Sequence, residues 1–475
     1  MMNKDKRARH ESEKRTLIVA VMISGVFLAV LNQTVLSPAL PSIMEDLHIT
    51  AAEGQWLTTA FLLVNGIMIP ITAYFIDRFT TRQLFLSSML MFAVGTAVAG
   101  FAGSFAVLLL ARILQAMAAG VLMPMIQTVI LLLFPREKRG AAMGAIGIVM
   151  AFAPAIGPTL SGWIVDVWGW NSIFLLIVPL AVIIIVISFL LLKNVGEISR
   201  TRLDVLSVIF STIGFGGLLY GFSVAGSYGW LHPVTIVSLV VGAVFLAVFI
   251  RRQRILSAPL LELSILTIRE FRYSTIIGMI VNAALIAGTI ITPIYLQNIL
   301  HFTAMESGLV MLPGSLLMGI MSPVTGWLFD RFGPRGVSVT GLALVTVFTG
   351  LFVFIDEDWT FMTVCLIYTV RLFGLAMVNM PINTWGLNSL ENRMIAHGSA
   401  INNTARQVAG SIGTAILITI MTIVSTATVS AGSVQSILNG MQAAYGAAAG
   451  LSAVALIMTI AFVKRTARDD DIFCD

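Results

Sequence analysis

Pro70-Ile-Thr72-Ala-Tyr-Phe-Ile-Asp77-Arg78-Phe79-Thr-Thr-Arg82 and Pro323-Val-Thr325-Gly-Trp-Leu-Phe-Asp330-Arg331-Phe332-Gly-Pro-Arg335 are one stretch written twice, 253 residues apart. The proline, threonine, aspartate, arginine, phenylalanine and final arginine coincide. Each copy closes a long apolar run and ends in a short charged turn. The two halves of the chain therefore run in the same direction, as a parallel repeat.

The surroundings say what the repeat crosses. Of 475 residues, 58% are hydrophobic and 11% charged, against roughly 25% charged in an ordinary soluble domain. Mean hydropathy is +0.95. This excludes a soluble globule and a disordered chain. Two cysteines, Cys365 inside a span and Cys474 in the tail, exclude a disulfide scaffold. The apolar runs are unbroken and of helix-spanning length, not the alternating short strands of a barrel. Fourteen such runs lie between residues 17 and 463.

Charge supports that count. Twenty-five of the 28 Lys and Arg fall in the N-terminal arm, in the connections after even-numbered spans, or in the tail. The connections after odd-numbered spans hold no Lys or Arg, but do hold Glu53, Asp166, Glu306 and Asp356. This positive-inside asymmetry predicts a plasma-membrane protein with both termini cytoplasmic. It also accounts for the net charge of +5 without a nucleic-acid partner. The first apolar run reads as a retained helix rather than a cleaved signal.

The repeated turns follow spans 2 and 10, eight apart, where two six-helix halves alone would place them six apart. The fold predicted is thus an all-α polytopic membrane protein: two six-helix halves in parallel repeat plus two inserted helices, 14 transmembrane helices in all. The expected units are a cytoplasmic arm (1–16), an N-terminal half (17–192), the inserted pair (203–250), a cytoplasmic linker (251–271), a C-terminal half (272–463) and a tail (464–475). A second echo pairs Arg112 with Arg371, each followed by a proline, Pro124 and Pro381.

With these residues in view, the chain resembles the major facilitator superfamily, and within it the 14-helix drug:proton antiporter family. The Asp-Arg turn after span 2 is similar to the superfamily's signature loop. Leu31-Asn-Gln-Thr-Val-Leu-Ser-Pro-Ala-Leu-Pro41 resembles the family's helix-1 motif, in the form seen in lincomycin-type efflux proteins. Arg112-Ile-Leu-Gln-Ala-Met-Ala-Ala-Gly120 resembles its helix-4 motif. Pro154-Ala-Ile-Gly157-Pro158-Thr-Leu-Ser161-Gly162 resembles its helix-5 antiporter motif. The resemblance implies a secondary exporter working by alternating access. The chain departs from the family pattern at Ala73 and Thr80, where glycine is usual, at Thr81, where a basic residue is usual, and at Asn32, where an aspartate is common.

Roles for individual residues follow. Asp77, Arg78 and Arg82, with Asp330, Arg331 and Arg335, form a candidate conformational latch between the halves. Arg112 lies about 10 Å below the outer surface, at about 1.5 Å of rise per residue. A buried arginine there is costly, so it reads as a gating or coupling group or as a carbonyl clamp. Pro154, Gly157, Pro158 and Gly162 suit a bent, closely packed hinge. Candidate cavity groups are Asn32, Gln33, Asn65, Gln127, Asn282, Tyr295, Asn379 and Asn383.

The acids are the awkward result. All 23 Asp and Glu lie in loops, tails or helix ends, whereas proton-coupled pumps usually hold carboxylates inside. Three readings are open: coupling by acids recruited from helix ends (Asp77, Glu53, Asp166 or Glu306), which is favoured; a contribution from His301; or a cycle that is not a simple proton antiport. A cavity without carboxylates favours neutral or weakly basic amphiphiles over permanent cations. The reading is a multidrug exporter; a dedicated exporter or flippase of an endogenous amphiphile or lipid is the alternative. No Walker loop, His-Glu-x-x-His or Cys/His cluster points to an enzyme, a metal site or a cofactor; the family resemblance implies a proton gradient as the drive. The expected partners are small amphiphiles, protons and the lipid bilayer, and a monomer is expected.

Overall fold

The computed structural model describes residues 2–195, 204–427 and 433–463. The tail at 464–475 and the basic residues Arg200 and Arg202 lie outside the described residues. Among the described residues the chain is helical, with no strand. The helices are α1 (Met2–Thr34), α2 (Leu36–Asp46), α3 (Ala51–Arg78), α4 (Thr81–Gly100), α5 (Phe105–Leu133), α6 (Arg139–Trp168), α7 (Asn171–Leu191), α8 (Val205–Tyr228), α9 (Pro233–Ile255), α10 (Arg269–Asn298), α11 (Ala304–Phe332), α12 (Pro334–Leu351), α13 (Phe361–Asn388), α14 (Ile395–Ala427) and α15 (Val434–Phe462). All but α2 are long and apolar enough to cross a membrane, fourteen in total.

The first span begins near Arg15, and α1 runs back from it through the basic arm as helix. At its far end, Val35 separates α1 from α2. Pro38 has no N–H to give the Thr34 carbonyl, so the helical ladder loses a rung there.

The ends of α3 and α11 show how far the repeat extends. Leu47-His-Ile-Thr-Ala-Ala-Glu53 is matched by Leu300-His-Phe-Thr-Ala-Met-Glu306. His48 and His301 both adopt positive φ, 53° and 55°, a conformation that turns the chain sharply before the next helix. In each copy the threonine and glutamate form a reciprocal capping box, worth about 1 kcal/mol for the threonine cap.

The inserted helices differ in role. Their backbones touch at Gly217 and Gly242, where the absence of side chains permits close approach. At their basic end Arg252 donates to both Asp204 oxygens at 2.6 and 2.8 Å, and Ser207 Oγ donates to Asp204 at 2.5 Å. The Arg252 hydrogen bond, with help from Ser207, holds the Asp204 carboxyl down at about 2. α8 packs against α3 and α14, one helix from each half, so it braces the two repeats. α9 packs mainly on α8 and presents Val237, Val240 and Val244 outward.

Candidate functional site

The contact between halves is built on glycine. α6 and α11 approach so closely that a Cβ at Gly140 would strike the Asp330 side chain and the Gly326 backbone. One at Gly144 would strike the backbone of Ser322 and Pro323, and one at Gly319 the Phe152 ring. These positions occupy the basic half of both helices. Towards the acidic end the pair is open: Gly162 and Gly308 have nothing within 4 Å of where a Cβ would sit.

The polar bonds between halves follow the same polarity. Asp330 accepts from the Gly140 and Ala141 N–H groups at 2.8 and 2.9 Å, capping the start of α6. An anion suits that position because helix N-termini carry free N–H groups and partial positive charge. Arg139 donates to Asn388 at 3.0 Å. Asn403 donates to Gln127 at 2.7 Å. Asp77 Oδ2 lies 3.2 Å from His397 Nε2, in the first turn of α14. Among the described residues, every side-chain hydrogen bond from one half to the other lies towards the basic end.

Asp77 and Asp330 thus hold equivalent places, each at the start of a helix of the opposite half. The arginines of the repeated turns do not join the halves in this conformation. Arg82 donates to the Phe189 carbonyl at 2.6 Å, within its own half. Arg331 lies over Trp327 and Phe332, Arg78 is exposed and Arg335 half-buried. The repeated threonines have a structural use: Thr72 donates to the Gly120 carbonyl at 3.2 Å and Thr325 to the Ala376 carbonyl at 3.1 Å, tying each motif helix to its neighbour. His397, Asn388 and Asn403 were not legible as joint residues. The matching spacing of Glu137-Lys-Arg139 and Glu391-Asn-Arg393 is the signal that would have aligned the starts of α6 and α14.

Two buried arginines form a second pair. Arg112 is fully buried. Its Nη1 donates to Asn32 Oδ1 at 2.6 Å, to Gln115 Oε1 at 2.9 Å and to the Asn32 carbonyl at 3.3 Å. Gln115 in turn donates to Thr96 at 3.1 Å, and the Phe61 ring lies 4.3 Å from the guanidinium carbon. Arg371 donates to Thr349 Oγ1 at 3.0 Å and to the Ala284 carbonyl at 2.6 Å, with Gly288 leaving room for its guanidinium. Thr96 and Thr349 are 253 residues apart. Each arginine thus links the first, third and fourth helices of its half. No Asp or Glu is buried among the described residues.

The remaining candidates separate by what they touch. Asn32 is buried, with its Oδ1 accepting from Arg112. Tyr295 is buried and donates to the Asp356 carbonyl at 2.6 Å, bracing the acidic end. Asn282 donates to the Arg406 carbonyl at 2.7 Å, and Asn383 accepts from Asn402. Asn379 Oδ1 is buried without a partner, while Gln33 and Asn65 are half-buried. Glu53 and Glu306 are engaged in their capping boxes, each accepting from a threonine N–H at 2.8 Å; Asp166 is exposed. In α6, Gly157 packs on Thr34 and Leu31, Thr34 donates to the Ala153 carbonyl at 3.3 Å, and Ser161 donates to the Val35 carbonyl at 2.5 Å. The proline- and glycine-rich segment therefore seats the break between α1 and α2. Gly162, by contrast, has open space where a side chain would sit.

Residues 22–414 match the family model of the Major Facilitator Superfamily. The chain is 46% identical over 450 residues to the "Uncharacterized MFS-type transporter YcnB" of Bacillus subtilis, covering 95% of each. It is 40% identical over 417 residues to the lincomycin resistance protein LmrB of the same organism, covering 87% of each. It is 29% identical over 407 residues to the multidrug export protein EmrB of Haemophilus influenzae, covering 84% of this chain and 79% of that one. Among solved structures, the human organic anion transporter MFSD10 superposes with a TM-score of 0.65 at 14% identity, covering 94% of this chain and 99% of that one; this likeness concerns the fold alone.

Proposed function

Because the chain belongs to the Major Facilitator Superfamily and is a multi-pass membrane transporter, not an enzyme, we propose that it exports neutral or weakly basic amphiphilic drugs in exchange for protons, by alternating access. The names of its relatives, lincomycin resistance and multidrug export, support efflux as the direction. Placing the basic end and both termini in the cytoplasm, as the positive-inside rule directs, makes the conformation outward-facing.

The observation that carries the reading is the polarity of the interface between halves. It is latched at the basic end by Asp330 on α6 and Asp77 on His397, and unpacked at the acidic end beside Gly162 and Gly308. Rocking about the α6 hinge segment, Pro154 to Gly162, then exposes the interior to one side at a time. Protons act at the latch: a protonated Asp330 accepts less strongly from the Gly140 and Ala141 N–H groups, which loosens the start of α6. Glu53, Asp166 and Glu306 mark the acidic rim through which protons enter, and Arg112 gates the path between rim and latch. Gln33, Asn65 and Asn379 offer the polar contacts of the drug cavity.

The test is proton movement in proteoliposomes with an acidic lumen, on adding a neutral lincosamide or a cationic dye in turn. Proton release with the lincosamide and little with the dye is expected. Silence with both, in a preparation that binds the lincosamide, would reject antiport.

A further inference from the structure

The two arginine nodes share a skeleton but not a balance of donors and acceptors. Around Arg371, two of the three guanidinium nitrogens are bonded, and only Nη1 lacks a partner. Around Arg112, a single nitrogen makes every bond. Nε, Nη2 and the adjacent Asn32 Nδ2 are all buried without an acceptor. Three buried donors on two adjacent side chains from two helices thus lack an acceptor, beside a full positive charge.

Leaving buried donors unmatched is costly, more so for a charged group. The second half shows that the helix-linking role needs no such surplus. No Asp or Glu is buried anywhere among the described residues, so a rearrangement confined to the described interior brings no carboxylate to Arg112. The Phe61 ring covers one face of the guanidinium and offers only a weak counter-charge. No described carboxylate is buried to match this charge, and an anionic acceptor from outside the described residues would pair the free donors and balance the guanidinium together.

We infer that Arg112 and Asn32 form an anion-accepting site, which takes the carboxylate of a transported amphiphile through Arg112 Nε and Nη2 and Asn32 Nδ2. Identifying the anion as cargo rests on the exporter reading above. It extends the substrate class of that reading to anionic amphiphiles: of compounds sharing one apolar body, the carboxylate is held best, the neutral form less and the cation least. Free chloride satisfies the same donors and competes for the same place.

The experiment measures equilibrium binding of labelled 2-naphthoate, 2-naphthamide and 2-naphthylmethylammonium to the full chain in lipid nanodiscs. The wild type is expected to bind naphthoate at least about tenfold more tightly than naphthamide, a difference of about 1.4 kcal/mol. In Asn32→Asp the built-in carboxylate occupies Arg112, and the preference is expected to vanish. Equal binding of the three probes by the wild type, no binding of naphthoate, or a preference that survives in Asn32→Asp would overturn the inference. Chloride displacing naphthoate from wild type, but not altering binding to Asn32→Asp, supports it and shows that inorganic anions share the site. The wild-type series stands alone if the variant does not fold. Charge-ranked binding without any transport would refute the exporter reading and leave the site intact.

Discussion

Asp77 and His397 meet across the boundary between the repeats, with His397 Nε2 3.2 Å from Asp77 Oδ2. The other ring nitrogen, Nδ1, accepts the Glu262 N–H at 3.3 Å. An imidazole that accepts at Nδ1 carries its proton at Nε2, so it can donate to Asp77 while neutral. One side chain on α14 thus joins the first half to the linker that follows the inserted helices.

His397→Gln keeps a donor for Asp77 and is expected to retain most transport. His397→Leu removes the donor, with a loss of about 1 kcal/mol of joint stability. Asp77→Asn keeps an acceptor but loses its charge at the start of α14 and is expected to abolish transport while the protein stays folded in the membrane. Vesicle efflux beside a detergent-melting measurement checks all three. Equal efflux by His397→Gln and His397→Leu would remove the histidine from the latch.

Asp330→Asn has one acceptor oxygen for two N–H groups, Gly140 and Ala141. Releasing one costs about 1–3 kcal/mol, enough to shift the balance towards a basic-end-open state by about tenfold or more. Spin labels at Lys138 and Arg331, both exposed, would read this as a longer distance population. An unchanged distribution would mean that Asp330 does not hold the halves.

The two copies of the signature stretch differ at Ala73 and Gly326, and the packing tells them apart. A Cβ at Gly326 runs into the Gly140 backbone, while Ala73 is already buried without requiring that approach. Gly326→Ala is expected to cost about 1–3 kcal/mol through overpacking, and Ala73→Gly about 1 kcal/mol through helix propensity. Melting of both variants in nanodiscs checks the order; the reverse order would contradict the packing.

Glu53→Gln and Glu306→Gln preserve a capping box, since glutamine serves at that position. Both variants, and the double variant, are expected to lose less than about 1 kcal/mol. If the rim glutamates only cap their helices, proton-driven efflux persists in the double variant and the latch acids alone carry coupling. Loss of coupling with normal melting would assign the proton to the rim.

Asp204 gives a pH signature unrelated to transport. Its carboxyl sits at about 2, below the ordinary 3.8, through Arg252. The stability it contributes is therefore present above about 3.8 and is lost as pH falls through about 2. The melting difference between wild type and Asp204→Asn should shrink over that window. A difference constant with pH would mean that the bond to Arg252 is not formed in solution.

Much of the fold was legible in the sequence because its signals are local. Span length, the alternation of basic and acid connections and the 253-residue offset each need only a short window, and they lead to fourteen spanning helices with an inserted pair. The site was less legible. Asp77 and Asp330 were identified as latch residues and sit at inter-half joints, but their partners are a histidine and two backbone N–H groups, not the arginines beside them. A partner supplied by backbone leaves no mark in residue identity.

Asn32 shows the same limit from another side. As an isolated residue it read as a polar group of a cavity without carboxylates, which an aspartate would make anionic. Bonded to Arg112 at 2.6 Å, an aspartate would instead neutralise the arginine. Hydropathy and charge act on each segment separately, so the sequence by itself determined the number of crossings and the duplication. It also determined the charge asymmetry between the two ends and the absence of mid-membrane acids. Which side chains face one another depends on the rotation and depth of helices far apart in the chain. Only the tertiary structure decided that Asn32 meets Arg112, that His397 meets Asp77, and that Gly326 must be glycine where Ala73 need not be.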